Sequence, residues 1–139
     1  MPARSWVRLC AALAGACGGE GVEKVFAPDA VIGTYVLETI QNKSLPATLI
    51  DDNGYTLRIL AGTYSLGPQG TYTSSLSVRE TIQTPTGPNV AAYDERGSGV
   101  YSLTAQLVRF TDAQGREFTG TLSGNILSFD GSLPQVYRR

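Results

Sequence analysis

Two pairs of adjacent carboxylates are the residues of this sequence best suited by type to acid–base chemistry. They are Asp51–Asp52 and Asp94–Glu95, and two carboxylates that flank a glycosidic bond can serve a glycosidase as acid and base or nucleophile. Both pairs lie in segments rich in turn-forming residues, where acids commonly cap the backbone and face water. The pattern brings no nucleophile, base and orienting group together. We therefore expect a protein without enzymatic activity and without catalytic residues.

Histidine is absent from all 139 residues. A Ser-His-Asp triad, a Cys-His pair and the usual zinc site all require it. The oxygen-rich run Asp51-Asp52-Asn53 has calcium-ligating groups, but Gly54 follows directly and makes a hairpin turn the favoured interpretation. The glycine-containing stretches lack the lysine or helix start of a phosphate cradle. We expect no metal and no cofactor.

Charge argues against one class of partner. The chain has 11 basic and 12 acidic residues and a net charge of −1. Its arginines are spaced singly among acids, whereas a nucleic-acid-binding domain carries a clustered basic patch. We expect no nucleic-acid partner.

Several tyrosines are predicted to face the interior together with leucines of the same strands. A buried tyrosine hydroxyl needs a hydrogen-bond partner, which a cavity or a barrel mouth can supply. Glu80 lies on the apolar face of its strand, and three interpretations remain open: a rim residue, the partner of an arginine, or a point of ligand recognition. The candidate ligand-binding residues are Tyr35, Leu57, Tyr64, Tyr72, Leu76, Glu80, Tyr101, Leu103, Phe118 and Phe129.

The N-terminal segment differs in kind from the rest of the chain. Arg4 and Arg8 precede a short apolar run that ends in small residues directly before Cys17, a pattern typical of an export signal. We assign residues 1–16 to a signal peptide and 17–30 to a tether and lead-in. We therefore expect an exported protein, either periplasmic, anchored at the outer membrane, or extracellular.

The residues around the predicted cleavage site resemble a bacterial lipobox, in which the cysteine after the cut receives a lipid. Leu13 lies one residue earlier than the usual leucine, whose place Ala14 takes. Lipid attachment at Cys17, which would provide a membrane anchor, and free secretion both remain open. Cys10 also lies in this segment, so residues 31–139 contain no cysteine and no disulfide.

From residue 31 onward the sequence alternates between strand-like runs and turn signals. In the run 55–66 the apolar residues Tyr55, Leu57, Ile59 and Ala61 share a face, and the phase shifts after Gly62, which predicts a bulge there. By contrast, the stretch 84–98 is rich in proline, glycine and acids, and predicts one long exposed loop. The predicted strands are 31–41, 46–50, 55–66, 71–83, 99–105, 107–111, 116–123, 126–130 and 136–138.

Successive hairpin-linked strands without a helical period favour an all-β fold. Either an up-and-down barrel or a tightly curved sandwich would remove the exposed sheet edges, and we predict a small antiparallel up-and-down barrel of about eight strands. We assign residues 31–139 to this one domain. The interior of such a barrel is nearly filled by ordinary side chains, so we expect at most a narrow pocket.

The same residues resemble bacterial secreted lipocalin-like domains. The likeness rests on the first strand Gly33-Thr34-Tyr35-Val36-Leu37, on Leu45-Pro46, on the hairpin 67–72, on the run 120–125 and on the ending Val136-Tyr137-Arg138-Arg139. Lipocalins begin with Gly-x-Trp, and a basic residue near the C-terminus packs over that tryptophan. The resemblance implies that Tyr35 takes the place of the tryptophan and that Arg138 or Arg139 is its basic partner.

Two functions are compatible with these patterns. In the first, the barrel interior binds a small apolar or amphipathic ligand at the cell envelope. In the second, side chains fill the barrel, and the protein is a structural or protein-interaction domain that acts through residues 84–98 or an outer face. The identity of a protein partner is not indicated by any motif.

Overall fold

The computed structural model describes residues 29–139. The predicted signal peptide, most of the tether and Cys17 lie outside these residues. The described chain forms one short 3-10 turn, Asp29–Val31, followed by ten β-strands. Within it, no helix is long and apolar enough to cross a membrane.

The strands follow one another closely. Their bounds are β1 Gly33–Ile40, β2 Lys43–Ser44, β3 Ala47–Asp52, β4 Tyr55–Leu66, β5 Thr71–Thr84, β6 Gly87–Thr104, β7 Leu107–Asp112, β8 Glu117–Ser123, β9 Ile126–Phe129 and β10 Gln135–Arg138.

Eight of these strands close into an antiparallel barrel. From β4 to β10 each strand pairs with the next, β10 pairs with β1, and β1 pairs with β4. The closing ladder places Tyr35 opposite Tyr64. The predicted all-β, eight-stranded up-and-down barrel is therefore confirmed, and the architecture is compatible with a calycin-like fold. The short strands β2 and β3 lie outside the ring, beside the second half of β1 and the first half of β4.

The predicted loop 84–98 is wrong. These residues belong to a long hairpin in which β5 and β6 pair without interruption from Thr71 opposite Val100 to Thr84 opposite Gly87. Strand β6 meets β7 only from Gly99 onward, so residues 87–98 form an edge strand. Prolines and charged residues are common on edge strands because their backbone groups on one side need no ladder partner. The loop-like composition therefore reflects an edge position.

Because the β5–β6 hairpin continues past the barrel ring, a sheet extends beyond the barrel. This extension consists of β3, residues 55–59 of β4, 78–84 of β5 and 87–93 of β6. Cross-strand partners lie on the same face of an antiparallel sheet. Its inner face, continuous with the barrel interior, carries Leu57, Glu80 and Ala91 in one row, and its outer face carries Arg58, Arg79 and Ala92 in the next.

Local irregularities set the direction of the strands where the extension joins the barrel. Strand β4 has its bulge between Ile59 and Ala61, earlier than predicted, so Ala61 is exposed and the shift in phase directs Tyr64 inward. In β6, a Cβ added at Gly99 would lie 2.0 Å from the carbonyl oxygen of Thr111. Only glycine permits this close approach of β6 and β7.

The barrel encloses one core of apolar side chains. The largest of its fully buried side chains are Tyr35, Tyr137, Phe110, Ile40, Leu127 and Val108. Gly120 makes room for the ring of Phe129, because a Cβ there would lie 2.9 Å from that ring.

Candidate functional site

Nine of the ten predicted binding residues lie in or against the barrel core. Tyr35, Tyr72, Tyr101 and Phe129 are buried in it, and Leu57, Tyr64, Leu76, Leu103 and Phe118 are partly buried and pack against it. Glu80 is the one member outside the core cluster, and it lies on the inner face of the extension opposite Leu57. The structure therefore separates the predicted set into a packed interior and one carboxylate outside it.

Aromatic rings fill the middle of the barrel. Phe110 stacks on Phe118 with ring centres 5.0 Å apart, and it meets Tyr72 edge-on at the same distance, 5.0 Å. Tyr64 contacts the ring of Tyr137, also at 5.0 Å. Phe110 and Tyr137 were not among the predicted residues. Phe110 lies two residues after the apolar Val108, and this period of two is a sequence signal for a shared inward face.

The hydroxyls of three buried tyrosines find partners in the protein itself. Tyr35 donates to the carbonyl oxygen of Val31 at 2.8 Å, and Tyr101 donates to that of Gly67 at 2.6 Å. Tyr137 donates to Oε1 of Gln135 at 2.6 Å. Burial also raises the pKa of Tyr64 from 10.0 to about 12. The hydroxyls of Tyr35, Tyr101 and Tyr137 therefore do not require a ligand as partner.

Open clefts lie at the edges of the packed interior. One, of about 240 Å³, is bounded by Tyr64, Leu76, Gly97, Gln135 and Tyr137 and lies where β6 leaves the barrel for the extension. A second, of about 320 Å³, is bounded among others by Val31, Leu103 and Arg139. Both open to solvent. The first cleft contains the predicted residues Tyr64 and Leu76, and it lies at the end of the inner face that is nearest the barrel.

The inner face of the extension places Glu80 between two tyrosines. Tyr55 of β4 donates its hydroxyl to Oε2 of Glu80 at 2.8 Å, and Tyr93 of β6 donates to Oε1. Two hydrogen bonds, the larger contribution from Tyr93 and the smaller from Tyr55, hold the pKa of Glu80 below its usual value. The hydrogen bond to Glu80 in turn raises the pKa of Tyr93 to about 12. The interpretation of Glu80 as an arginine partner is wrong, because tyrosines from both neighbouring strands hold its carboxylate.

Apolar side chains surround this carboxylate. Leu57 and Ala91 lie directly opposite Glu80 on the two neighbouring strands. Ile82, 47% exposed, lies opposite Tyr55, and Ile50, 42% exposed, lies opposite Leu57. We call this set, with Tyr55, Glu80 and Tyr93, the Glu80 patch. It presents an ionised group, held by two hydrogen bonds, among apolar side chains. The same face also carries Asp52, opposite Tyr55, Asn89, opposite Ile82, and Glu95, two residues beyond Tyr93.

The chemistry available at the Glu80 patch is recognition. A carboxylate offers about four lone-pair positions, and the two tyrosines use two, so acceptors remain for a ligand. Aromatic rings beside a carboxylate also favour an organic cation. Within residues 29–139, no group of three or more acidic or cysteine side chains is arranged to hold a metal ion.

Comparison with known proteins gives no match, either to a family model, to a curated protein or to a solved structure.

Proposed function

We propose that this protein is a non-enzymatic binding module of the cell envelope that recognises a small amphipathic ligand at the Glu80 patch. The ligand's apolar part lies on Leu57, Ile82 and Ala91, and its cationic group meets the carboxylate of Glu80. The observation that carries the proposal is the pair of tyrosine hydroxyls, from two different strands, that hold this carboxylate beside Leu57, Ala91 and Ile82.

The filled barrel argues for binding on the extension. A drug-sized ligand usually needs a pocket of about 300 Å³ or more, lined by apolar side chains and a few placed polar groups. The rings of Phe110, Phe118 and Phe129 occupy the middle of the barrel at separations between 5.0 and 6.0 Å. The cleft beside Tyr64 and Leu76 gives the ligand's tail a place to extend toward the barrel, so the predicted interior residues contribute at its edge.

A set of ligands with one tail and three head groups tests this proposal. Octylammonium, octanol and octanoate would be titrated into the purified protein by isothermal calorimetry. A charge-assisted hydrogen bond contributes more than a neutral one, so octylammonium should bind roughly tenfold more tightly than octanol, and octanoate should bind most weakly.

Matched variants locate the binding. Glu80→Gln should reduce octylammonium affinity to that of octanol, whereas Glu117→Gln, which neutralises an exposed carboxylate on the barrel wall, should leave it unchanged. Equal binding of all three compounds, or an equal effect of both substitutions, would contradict recognition by Glu80.

Export and a lipid anchor at Cys17 belong to the same proposal. Kinship with bacterial lipocalin-like proteins is supported by Arg139, whose guanidinium lies over the ring of Tyr35, as the basic residue does over the lipocalin tryptophan. An anchor would hold the barrel near the membrane, where amphipathic molecules concentrate. Mass spectrometry of the membrane fraction tests for a lipidated chain that starts at Cys17.

The free edge of β6 supports a second function, that of a protein-interaction domain. The amide of Gln83 donates to Gly54 on the β4 side at 2.8 Å, so its partner Pro88 directs its backbone away from β5. Val90, Ala92 and Asp94 lie two, four and six residues after Pro88 in an uninterrupted ladder. Their backbone amides therefore also point away from β5. This edge can accept an added strand, and a second copy of the chain is the simplest occupant.

Sedimentation velocity over a range of concentrations tests self-association. Ala92→Pro removes one outward amide without removing a bond to β5, so it should abolish a dimer formed through β6 while leaving the fold intact. A monomer at every concentration would exclude this pairing.

A further inference from the structure

The outer face of the extension carries two arginines directly opposite each other. Arg58 of β4 pairs with Arg79 of β5, and Thr48 of β3 lies on the other side of Arg58. Lys43 donates from its Nζ to the carbonyl oxygen of Thr48 at 2.7 Å, which brings a third cation to this part of the sheet. Like charges directly opposite on neighbouring strands repel, so an anion bound between the two guanidinium groups would stabilise the arrangement.

The protein does not supply that anion within the described chain. The ion pairs of residues 29–139 join Arg96 with Asp94, Arg116 with Asp112 and Arg138 with Glu38. None of them includes Arg58 or Arg79. Asp94, on the same outer face, already accepts hydrogen bonds from Ser77 and Arg96.

Arg58 also has a hydrogen-bond donor without an acceptor. Its Nε is buried and makes no hydrogen bond. Buried donors are almost always satisfied in folded proteins, and one that is not points to a missing partner. Arg58 therefore has both a like-charged neighbour and a donor without a hydrogen-bond partner.

We propose that Arg58 and Arg79 together bind a phosphate-type oxyanion on the outer face of the extension. Residues opposite each other on neighbouring strands have Cβ atoms about 5 Å apart, so one tetrahedral anion can accept from both guanidinium groups. Arginine suits this role because its planar fork donates two parallel hydrogen bonds.

The neighbouring residues leave the site accessible. Ala92, opposite Arg79 on the edge strand β6, is small, and Thr56 and Thr81, the next cross-strand pair on this face, offer hydroxyl donors. Asp51 lies beyond them, opposite Thr56. The oxyanion site is on the face of the sheet opposite to the Glu80 patch, so it does not depend on the proposed ligand.

Titration with inorganic phosphate, followed by NMR of the arginine side-chain Nε–H groups, tests the site directly. The Arg58 Nε–H signal should shift and saturate, while that of Arg109, on the outer wall of the barrel, should not. Arg79→Gln should weaken phosphate binding about tenfold, and Arg58→Gln should abolish it. Arg109→Gln is the matched control and should bind as the unchanged protein does.

If Arg58→Gln fails to fold, the phosphate titration of the unchanged protein still tests the site through the Arg58 and Arg109 Nε–H signals. Equal shifts of Arg58 and Arg109 without saturation would overturn the proposal, as would unchanged affinity in Arg79→Gln. Octylammonium binding by Arg79→Gln should be unaffected, which separates this site from the Glu80 patch.

The anion can be free or part of a lipid headgroup. Flotation with phosphatidylcholine vesicles, with and without phosphatidylglycerol, distinguishes these sources. Binding only to phosphatidylglycerol vesicles, lost in Arg79→Gln, identifies a lipid headgroup. Saturable binding of free phosphate without vesicle binding identifies a soluble phosphate compound, and absence of both overturns the site.

Discussion

The guanidinium carbon of Arg139 lies 5.4 Å from the centre of the Tyr35 ring. Arg139 also donates to the carbonyl oxygen of Ile32 at 2.8 Å and to Oδ1 of Asn125 at 2.7 Å. One side chain therefore connects the start of β1 with the turn between β8 and β9. The predicted contact between Tyr35 and a C-terminal arginine is confirmed, and Arg139 makes it, while Arg138 pairs with Glu38.

Removal of Arg139 should loosen this closure. Arg139→Ala loses the cation–π contact and two hydrogen bonds, and should lower the free energy of unfolding by about 1–2 kcal/mol. Arg138→Ala, which breaks an exposed ion pair, should lower it by less than about 1 kcal/mol. Urea unfolding of both variants measures the difference. Equal losses would mean that the Tyr35 contact does not stabilise the barrel.

Phe110 should be among the most sensitive positions in the core. It is fully buried and contacts the rings of Tyr72 and Phe118, so Phe110→Ala should cost about 3–5 kcal/mol, from lost burial and the cavity left behind. Val100→Ala, at a side chain that is 54% exposed, serves as the control and should change stability by less than about 1 kcal/mol. A small effect at Phe110 would show that the interior is not tightly packed.

The barrel should lose stability in alkaline solution. Burial raises the pKa of Tyr64 from 10.0 to about 12, so in this range the unfolded chain releases a proton that the folded chain retains. The unfolded state then binds fewer protons, and the free energy of unfolding falls as pH rises. Each such tyrosine contributes a slope of about 1.4 kcal/mol per pH unit.

Urea unfolding at a series of pH values tests this slope. Tyr64→Phe should show a shallower decline between pH 10 and about 12 and a pH dependence like that of the unchanged protein below this range. Burial also raises the pKa of Tyr137, so some decline should remain. An identical slope in Tyr64→Phe would refute the assignment to Tyr64.

Glu80 should control the ionisation of Tyr93. The hydrogen bond to Glu80 is the largest cause that raises the pKa of Tyr93 from 10.0 to about 12. A glutamine there carries no charge, so in Glu80→Gln the pKa of Tyr93 should fall toward 10.0. NMR titration of the tyrosine ring carbons measures it, with Glu117→Gln as the control. A pKa of Tyr93 that stays near 12 would mean that the two side chains do not interact in solution.

The strands and their order were predictable because they depend on local patterns. Alternation along residues 71–83 places Tyr72 and Val78 on the buried face, as the structure has them. Turn residues separate neighbouring strands, and a chain of short hairpins closes most simply into a barrel. A closed barrel pairs its first and last strands, and this pairing made the contact of Tyr35 with a C-terminal arginine predictable.

Cross-strand register was not available from local patterns. Tyr55, Glu80 and Tyr93 are separated by 25 and 13 residues, and whether they meet depends on which residue of β4 lies opposite which residue of β5. A displacement by one residue would turn a side chain to the other face. Arg58 and Arg79 face each other for the same reason.

The sequence by itself determined an all-β chain whose inward residues are mostly aromatic and aliphatic, because alternation and turn chemistry act within a few residues. Tertiary structure decided that residues 87–98 form an edge strand and that Phe110 and Tyr137 complete the interior. It also decided that Glu80 lies on the inner face of the extension and outside the barrel. Those outcomes depend on contacts between residues distant in the chain, whose pairing energy is realised only when all the strands are in register.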